Sequence, residues 1–206
     1  MTTRRWLGGA LVALTFALTA CGGGNNPAGQ APSTSGQSSA AQDNREQATG
    51  PAALPASPPT GVEIPKIKAK STLVPLGLNA DGTIEVPPVS NPMQAGWYDK
   101  APTPGEIGPA VILGHVDGNK QPGIFFHLKE LAKGDEVLVS RTDGTTARFT
   151  ITKVDQVSKK DFPTEQVYGD VSDAELRLIT CGGVFDHSAH SYEDNIIVYA
   201  TYAPSA

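Results

Sequence analysis

The chain has 206 residues and a formal net charge of −5, and past its first residues no cluster of Lys or Arg stands out. That balance excludes nucleic acid as a partner. Its cysteines are two, Cys21 and Cys181.

Arg4 and Arg5 precede an apolar run from Trp6 to Leu18, which closes on Leu18-Thr19-Ala20-Cys21. Small residues before a scissile bond, with a cysteine directly after it, resemble a bacterial lipobox. Residues 1–20 therefore read as a lipoprotein signal peptide and Cys21 as the lipidated N-terminus of the mature chain. The apolar run is short for a membrane span, which takes ~20 residues. The expected location is outside the cell, lipid-anchored to the outer face of the cytoplasmic membrane. Cys181 is then alone in an exported protein, as a free thiol, half of an intermolecular bridge or an inert buried residue.

Residues 21–59 are Gly, Asn, Ser, Ala, Gln and Pro without apolar periodicity, a composition that buries no core. They read as a flexible tether with a reach on the order of 35 Å. Residues 60–206 form one domain of ordinary size. Val62 to Ile67 alternates until Pro65 and is expected as an edge strand. Leu73 to Leu78 is a second strand, and Asn79 to Gly82 turns the chain into a third at Thr83 to Val86. Trp97 and Tyr98 are expected as core contacts. Pro109 to Gly114 is a buried strand that delivers His115 just after a glycine, followed by Val116 and Asp117. Ile124, Phe125, Leu128 and Leu131 have the spacing of a short helix. Thr142-Asp143-Gly144 joins Glu136 to Arg141 and Thr145 to Val154 as a hairpin. Phe162-Pro163 and Tyr168-Gly169 break the next connection. Leu176 to Thr180 is a buried strand expected to stop at Gly182-Gly183, with Cys181 at its end. A polar loop from Val184 to Glu193 leads to the last strand, Ile196 to Thr201. Many short strands with Gly and Pro turns argue for a sandwich or a small closed barrel.

His115 and Cys181 are thus presented by the same device, a buried run beside glycine, which suggests one shared rim. A thiol with its ordinary pKa of ~8.5 is mostly protonated at neutral pH, so a nucleophilic cysteine needs an activator such as an imidazolium. His115 is the candidate. His127, His187 and His190 are read as surface or core residues. Without a second cysteine or matching carboxylates they make no metal site, and neither metal nor cofactor is expected.

The run Val111 to Asp117 around His115, Leu178 to Cys181, and the strand Asn195 to Ala200 resemble the sortase family of Gram-positive cell-surface transpeptidases. Cys181 to Asp186, Phe162 to Thr164 and Val167 to Gly169 resemble its actinobacterial class F branch. The resemblance covers Gly61 to Ala203. It implies a mostly β fold, a closed eight-stranded β-barrel with one or two short helices. It implies that Cys181 attacks the threonyl carbonyl of a Leu-Pro-any-Thr-Gly sorting signal to give a thioester, which an amine from the cell wall or a pilin resolves. His115 would be the acid and base, with the Thr180 hydroxyl beside the substrate. The arginine that opens the last sortase strand has no counterpart: Asn195 stands there, and no arginine follows Cys181. Arg177, on the same strand face as the thiol but ~13 Å away, is the other candidate for oxyanion support. The alternative is a catalytically weak sortase-fold lipoprotein that binds sorting peptides or wall fragments. The residues flanking Cys181 and the order of His before Cys disfavour an L,D-transpeptidase and a papain-like protease.

Overall fold

The structure, a computed structural model, describes residues 51–204; the signal peptide, Cys21 and the tether up to residue 50 lie outside the described residues. The strands are β1 (Pro59–Ile64), β2 (Ala69–Leu76), β3 (Ala95–Tyr98), β4 (Gly108–Gly114), β5 (Asp117–Gly118), β6 (Gln121–Pro122), β7 (Glu136–Arg141), β8 (Thr146–Ser158), β9 (Ala174–Asp186) and β10 (Ser191–Tyr202), with one short helix, α1 (Thr164–Tyr168). Eight of them close a barrel in the order β1-β2-β3-β4-β9-β10-β8-β7, while β5 and β6 form a separate hairpin. The expected eight-stranded barrel is what the chain forms.

Strand alternation fills it. Val62, Ile64, Ala110, Ile112, Val137, Val139, Phe149, Ile151, Leu176, Leu178, Ile196 and Val198 point inward and form one core. Each large side chain buried this completely is worth about 1.5–3 kcal/mol. The intervening residues Val111, Ile179, Ile197 and Tyr199 form a second cluster on the outer face, covered by Val167 of α1.

Two parallel pairs, β2 with β3 and β4 with β9, dictate what flanks that outer face, because a parallel partner is reached only by a crossover. The β2–β3 connection climbs from the end of the barrel where β4 starts to the end where β4 finishes. The β8–β9 connection, carrying α1, descends beside it. The outer face of β4 and β9 lies between the two.

Several expectations change. β1 pairs with β7 as well as β2, so it is not an edge strand; Pro65 instead opens a 3-10 turn, Pro65–Ile67, where a missing N–H costs nothing. Thr83 to Val86 makes only one isolated bridge, Leu78 with Ile84. Ile124, Phe125, Leu128 and Leu131 are all buried, yet the only helical piece there is the 3-10 turn Leu128–Glu130. The nearby N–H groups are drawn elsewhere: Phe125 N–H donates to the His115 carbonyl at 3.0 Å and Gly123 N–H to Val116 at 2.8 Å. The folded body also begins before residue 60. Leu54 N–H donates to the Gly105 carbonyl at 2.7 Å, Ser57 is 5% exposed, and the buried Arg141 guanidinium donates to the Pro55 carbonyl.

Candidate active site

Cys181 does not end its strand. β9 runs on to Asp186 and pairs with β10 throughout, so the expected Val184–Glu193 loop shrinks to the four residues 187–190. Gly182-Gly183 makes a bulge: between Gly182 and Phe185 on β9 lie two residues, between their partners Asp194 and Tyr192 only one. Gly183 has φ +76°, the left-handed conformation such a bulge asks of its first residue. What ends before Cys181 is the other ladder, since β4–β9 pairing stops at Leu113 and Ile179.

That register brings the site together. Leu113 lies opposite Ile179, and Ile179 opposite Ile197. Two residues further along each strand, on the same outer face, come His115, Cys181 and Asn195, with Asn195 directly opposite Cys181. Directly opposed residues stand ~4.5–5.5 Å apart at Cβ. The three are half-buried. His115 and Cys181 border one cavity of about 220 Å³, with Asp117, His190 and Tyr192.

His115 is fixed from two sides. Its carbonyl takes the Phe125 N–H, and its Nε2 lies 2.6 Å from the Pro87 carbonyl at the top of the β2–β3 crossover. A carbonyl can only accept, so Nε2 carries a hydrogen there and Nδ1 is the nitrogen left to exchange protons. Gly114 lets this happen: a Cβ on it would run into Ile124 and Phe125.

A second cavity, of about 270 Å³, opens on the other side of the thiol, lined by Lys129, Gln156, Thr180, Cys181, Tyr192 and apolar neighbours. Thr180 is 4% exposed and its Oγ1 has no hydrogen-bond partner. Asn195, though next to the thiol, borders neither cavity. Arg177 is committed elsewhere: 3% exposed, it pairs with Glu175 at 2.5 Å and stacks 4.7 Å from the Tyr199 ring centre. The residues that sequence reasoning did not place at the thiol are Asp117, Lys129, Gln156, Tyr192 and His190, which was read as a surface or core residue and lines the His115–Cys181 cavity. The Tyr192 hydroxyl donates to the Asp117 carboxylate, and that bond, with lesser help from burial, pushes the phenol up to about 12.

Along the outer face, away from the rim, an apolar groove of about 500 Å³ is lined by Leu78, Ile84, Tyr98, Phe162 and Tyr168. Tyr98 packs with Val111, four strand residues before His115, roughly 13 Å. His127 pairs with Glu130 at 2.7 Å, and His187 packs edge-on against Phe185.

A closed barrel with a thiol and the His115 imidazole on one rim cavity, above a groove between two crossovers, defines the class of protein. The family model for the sortase domain matches residues 62–203, and the chain belongs to the sortase family. It is similar to sortase A from Corynebacterium diphtheriae, at 18% identity and a TM-score of 0.54, over 74% of this chain and 62% of that one. Sortase C-1 from Actinomyces oris aligns at 19% identity and a TM-score of 0.54, over 70% of this chain and 73% of that one. A Clostridium perfringens sortase D5 transpeptidase aligns at 20% and 0.52, over 70% and 78%. These likenesses are of fold. No curated protein matches the chain by sequence.

Proposed function

We propose that the protein is an exported sortase-type cysteine transpeptidase, anchored through lipid on Cys21 to the outer face of the cytoplasmic membrane. Its substrate is a C-terminal sorting signal of the Leu-Pro-any-Thr-Gly kind, and its acceptor an amine from the cell wall or a pilin. The observation that carries this reading is the placement of His115, just past β4, and Cys181, within β9, each two residues beyond the paired Leu113 and Ile179 and on one cavity. The segments Cys181 to Asp186 and Phe162 to Thr164 support the class F branch.

The Cys181 thiolate, formed beside the His115 imidazolium, attacks the threonyl carbonyl. The tetrahedral intermediate collapses as His115 protonates the leaving amine, which leaves a thioester. The incoming amine gives its proton to His115 and expels the thiolate. The residues upstream of the threonine lie along the outer face, and their apolar side chains reach the Leu78–Tyr168 groove. The Thr180 hydroxyl, with no partner of its own, and the Asn195 amide are the proposed donors to the substrate and its oxyanion, without the charge of an arginine. Losing an oxyanion donor, the role proposed for Asn195, costs ~10²–10³ in turnover in other enzymes.

The test is intact-mass spectrometry of the full chain in detergent, incubated with Leu-Pro-any-Thr-Gly peptides, beside Cys181→Ala. A mass increase equal to the acyl fragment, on the parent chain alone and released by hydroxylamine, is the expected result. A thiol that reacts with a small alkylating agent but gains no acyl fragment would sink the transpeptidase reading and favour a binding protein.

A further inference from the structure

Directly after His115 the chain makes the β5–β6 hairpin, in which Asp117 pairs with Pro122 and Gly118 with Gln121. Its two turn residues, Asn119 and Lys120, both have positive φ, 51° and 61°, the two-residue turn whose twist suits paired strands. The hairpin therefore holds the Asp117 carboxylate at a set place two residues from the imidazole. Tyr192, from the β9–β10 hairpin, donates its hydroxyl to that carboxylate and so ties the His115 side of the rim to the Cys181 side. Val89 and Phe185 give the same cavity two apolar walls.

We propose that this cavity seats the incoming acceptor, a primary amine on an apolar stem without a carboxylate beside it, and that Asp117 receives one of its N–H groups. The proposal rests on the transpeptidase reading above. His115 borders this cavity and does not border the one on the other side of the thiol, and the group that takes the proton from the amine must lie within hydrogen-bond reach of it. Asp117 is the one carboxylate lining either cavity. The other cavity carries Lys129, whose charge repels an ammonium. Among the described residues no Lys, Arg or His forms an ion pair with Asp117. Its one side-chain partner is the Tyr192 hydroxyl, so its remaining acceptor capacity faces the cavity uncommitted.

The step balances as follows. The arriving ammonium loses one proton to solvent. The neutral amine keeps one N–H on Asp117 and another toward Nδ1 of His115, which aims its lone pair at the thioester carbon. The N–C bond forms, the C–S bond breaks with its electron pair going to Sγ, and the proton shed by nitrogen passes to His115.

The experiment starts from the acyl-enzyme. The full chain in detergent is loaded with a Leu-Pro-any-Thr-Gly peptide, and decay of the acyl mass is followed against rising glycinamide or glycine, compared at equal free-base concentration. The intercept reports hydrolysis and the slope reports the amine. The parent chain is expected to show a glycinamide slope about tenfold steeper than the glycine slope, and Asp117→Asn to lose about tenfold on glycinamide and most of the difference between the two amines, the size of one charge-assisted hydrogen bond. Equal slopes for the two amines on the parent chain, or an unchanged glycinamide slope in Asp117→Asn, would overturn the proposal while the thioester stands. Failure of the parent chain to acylate would remove the transpeptidase reading and this site with it. Should Asp117→Asn fail to fold by circular dichroism, the two-amine comparison on the parent chain decides, with Asp117→Glu expected to keep the preference for glycinamide.

Discussion

Replacing Thr180 by valine sets stability against function at a single atom. Thr180 faces the barrel interior, opposite Ile196 of β10, and its Oγ1 is buried with no hydrogen-bond partner. A hydroxyl held dry and unpaired costs roughly 1–3 kcal/mol in protein mutational data. Valine keeps the shape and the β-branched preference of the strand while removing the oxygen. Thr180→Val should therefore stabilise the domain by about 1–2 kcal/mol, and with about 2–4 °C per kcal/mol for a domain of this size, raise Tm by about 2–8 °C. Acylation by a sorting peptide should fall about tenfold, the loss of one hydrogen bond at the substrate. Calorimetry and urea unfolding, the latter with an unchanged m value, measure the first effect; the initial rate of acyl-mass accumulation measures the second. Thr180→Ser separates them, since it keeps the hydroxyl and loses only a methyl group, about 0.8 kcal/mol. A Thr180→Val protein that melts lower than the parent would refute the reasoning, because the hydroxyl must then have a partner in the folded state.

The remaining expectations concern the supports of the site. Arg177→Ala should destabilise by about 3 kcal/mol, because it strands Glu175 beside a buried gap, and should leave alkylation of Cys181 intact; a change in melting of less than a degree would count against a structural role. Gly114→Ala drives a Cβ into Ile124 and Phe125, for an overpacking cost of about 1–3 kcal/mol, and should slow acylation more than it lowers Tm because it displaces His115. The Tyr192 phenol is raised to about 12 by its bond to Asp117, above the unfolded value of ~10. Between those values the folded state binds more protons than the unfolded one, so this contribution is complete below about pH 10 and is lost as pH climbs toward 12. Tyr192→Phe should show a shallower loss of stability across that alkaline window in urea titrations, and parallel curves would contradict the assignment.

His115 and Cys181 were legible because both follow buried runs and sit beside glycine, a local pattern that needs no knowledge of the fold. Their adjacency is set by the register of β4 on β9, which no short stretch encodes. Asp117 and Tyr192 stand 75 positions apart and meet only once the barrel has closed, so neither drew attention as part of a pair. The glycines after Cys181 were misread because a glycine in a strand pattern signals either an end or a bulge; here β10 supplies partners on the far side, and the bulge wins. Ile124 to Leu131 shows the reverse error, in which helical spacing is satisfied by burial through turns once the His115 segment claims the backbone donors. Residues 54–57 looked like tether because their composition has no core to offer. Leu54 nonetheless packs against the core, and Pro55 and Ser57 lend backbone and hydroxyl groups to the β7–β8 hairpin.

The strand directions also set the entry of the chain and the rim at opposite poles of the barrel. The chain enters at Pro59, beside Arg141, at the end of the barrel where β4 begins, while His115 and Cys181 stand past the other end, about 20 Å away along the strands. With the proposed anchor and thioester, a pull arriving through residue 51 would enter the barrel by β1, which is hydrogen-bonded on both sides, and a cargo on Cys181 would pull from the opposite pole. Directed from pole to pole across strands tilted to the barrel axis, the two forces would load many ladder bonds together, with a large shear component, rather than unzip them singly. On that proposal the rim that carries Cys181 would stand at the pole opposite the entry of the chain, and tension would load the barrel from pole to pole.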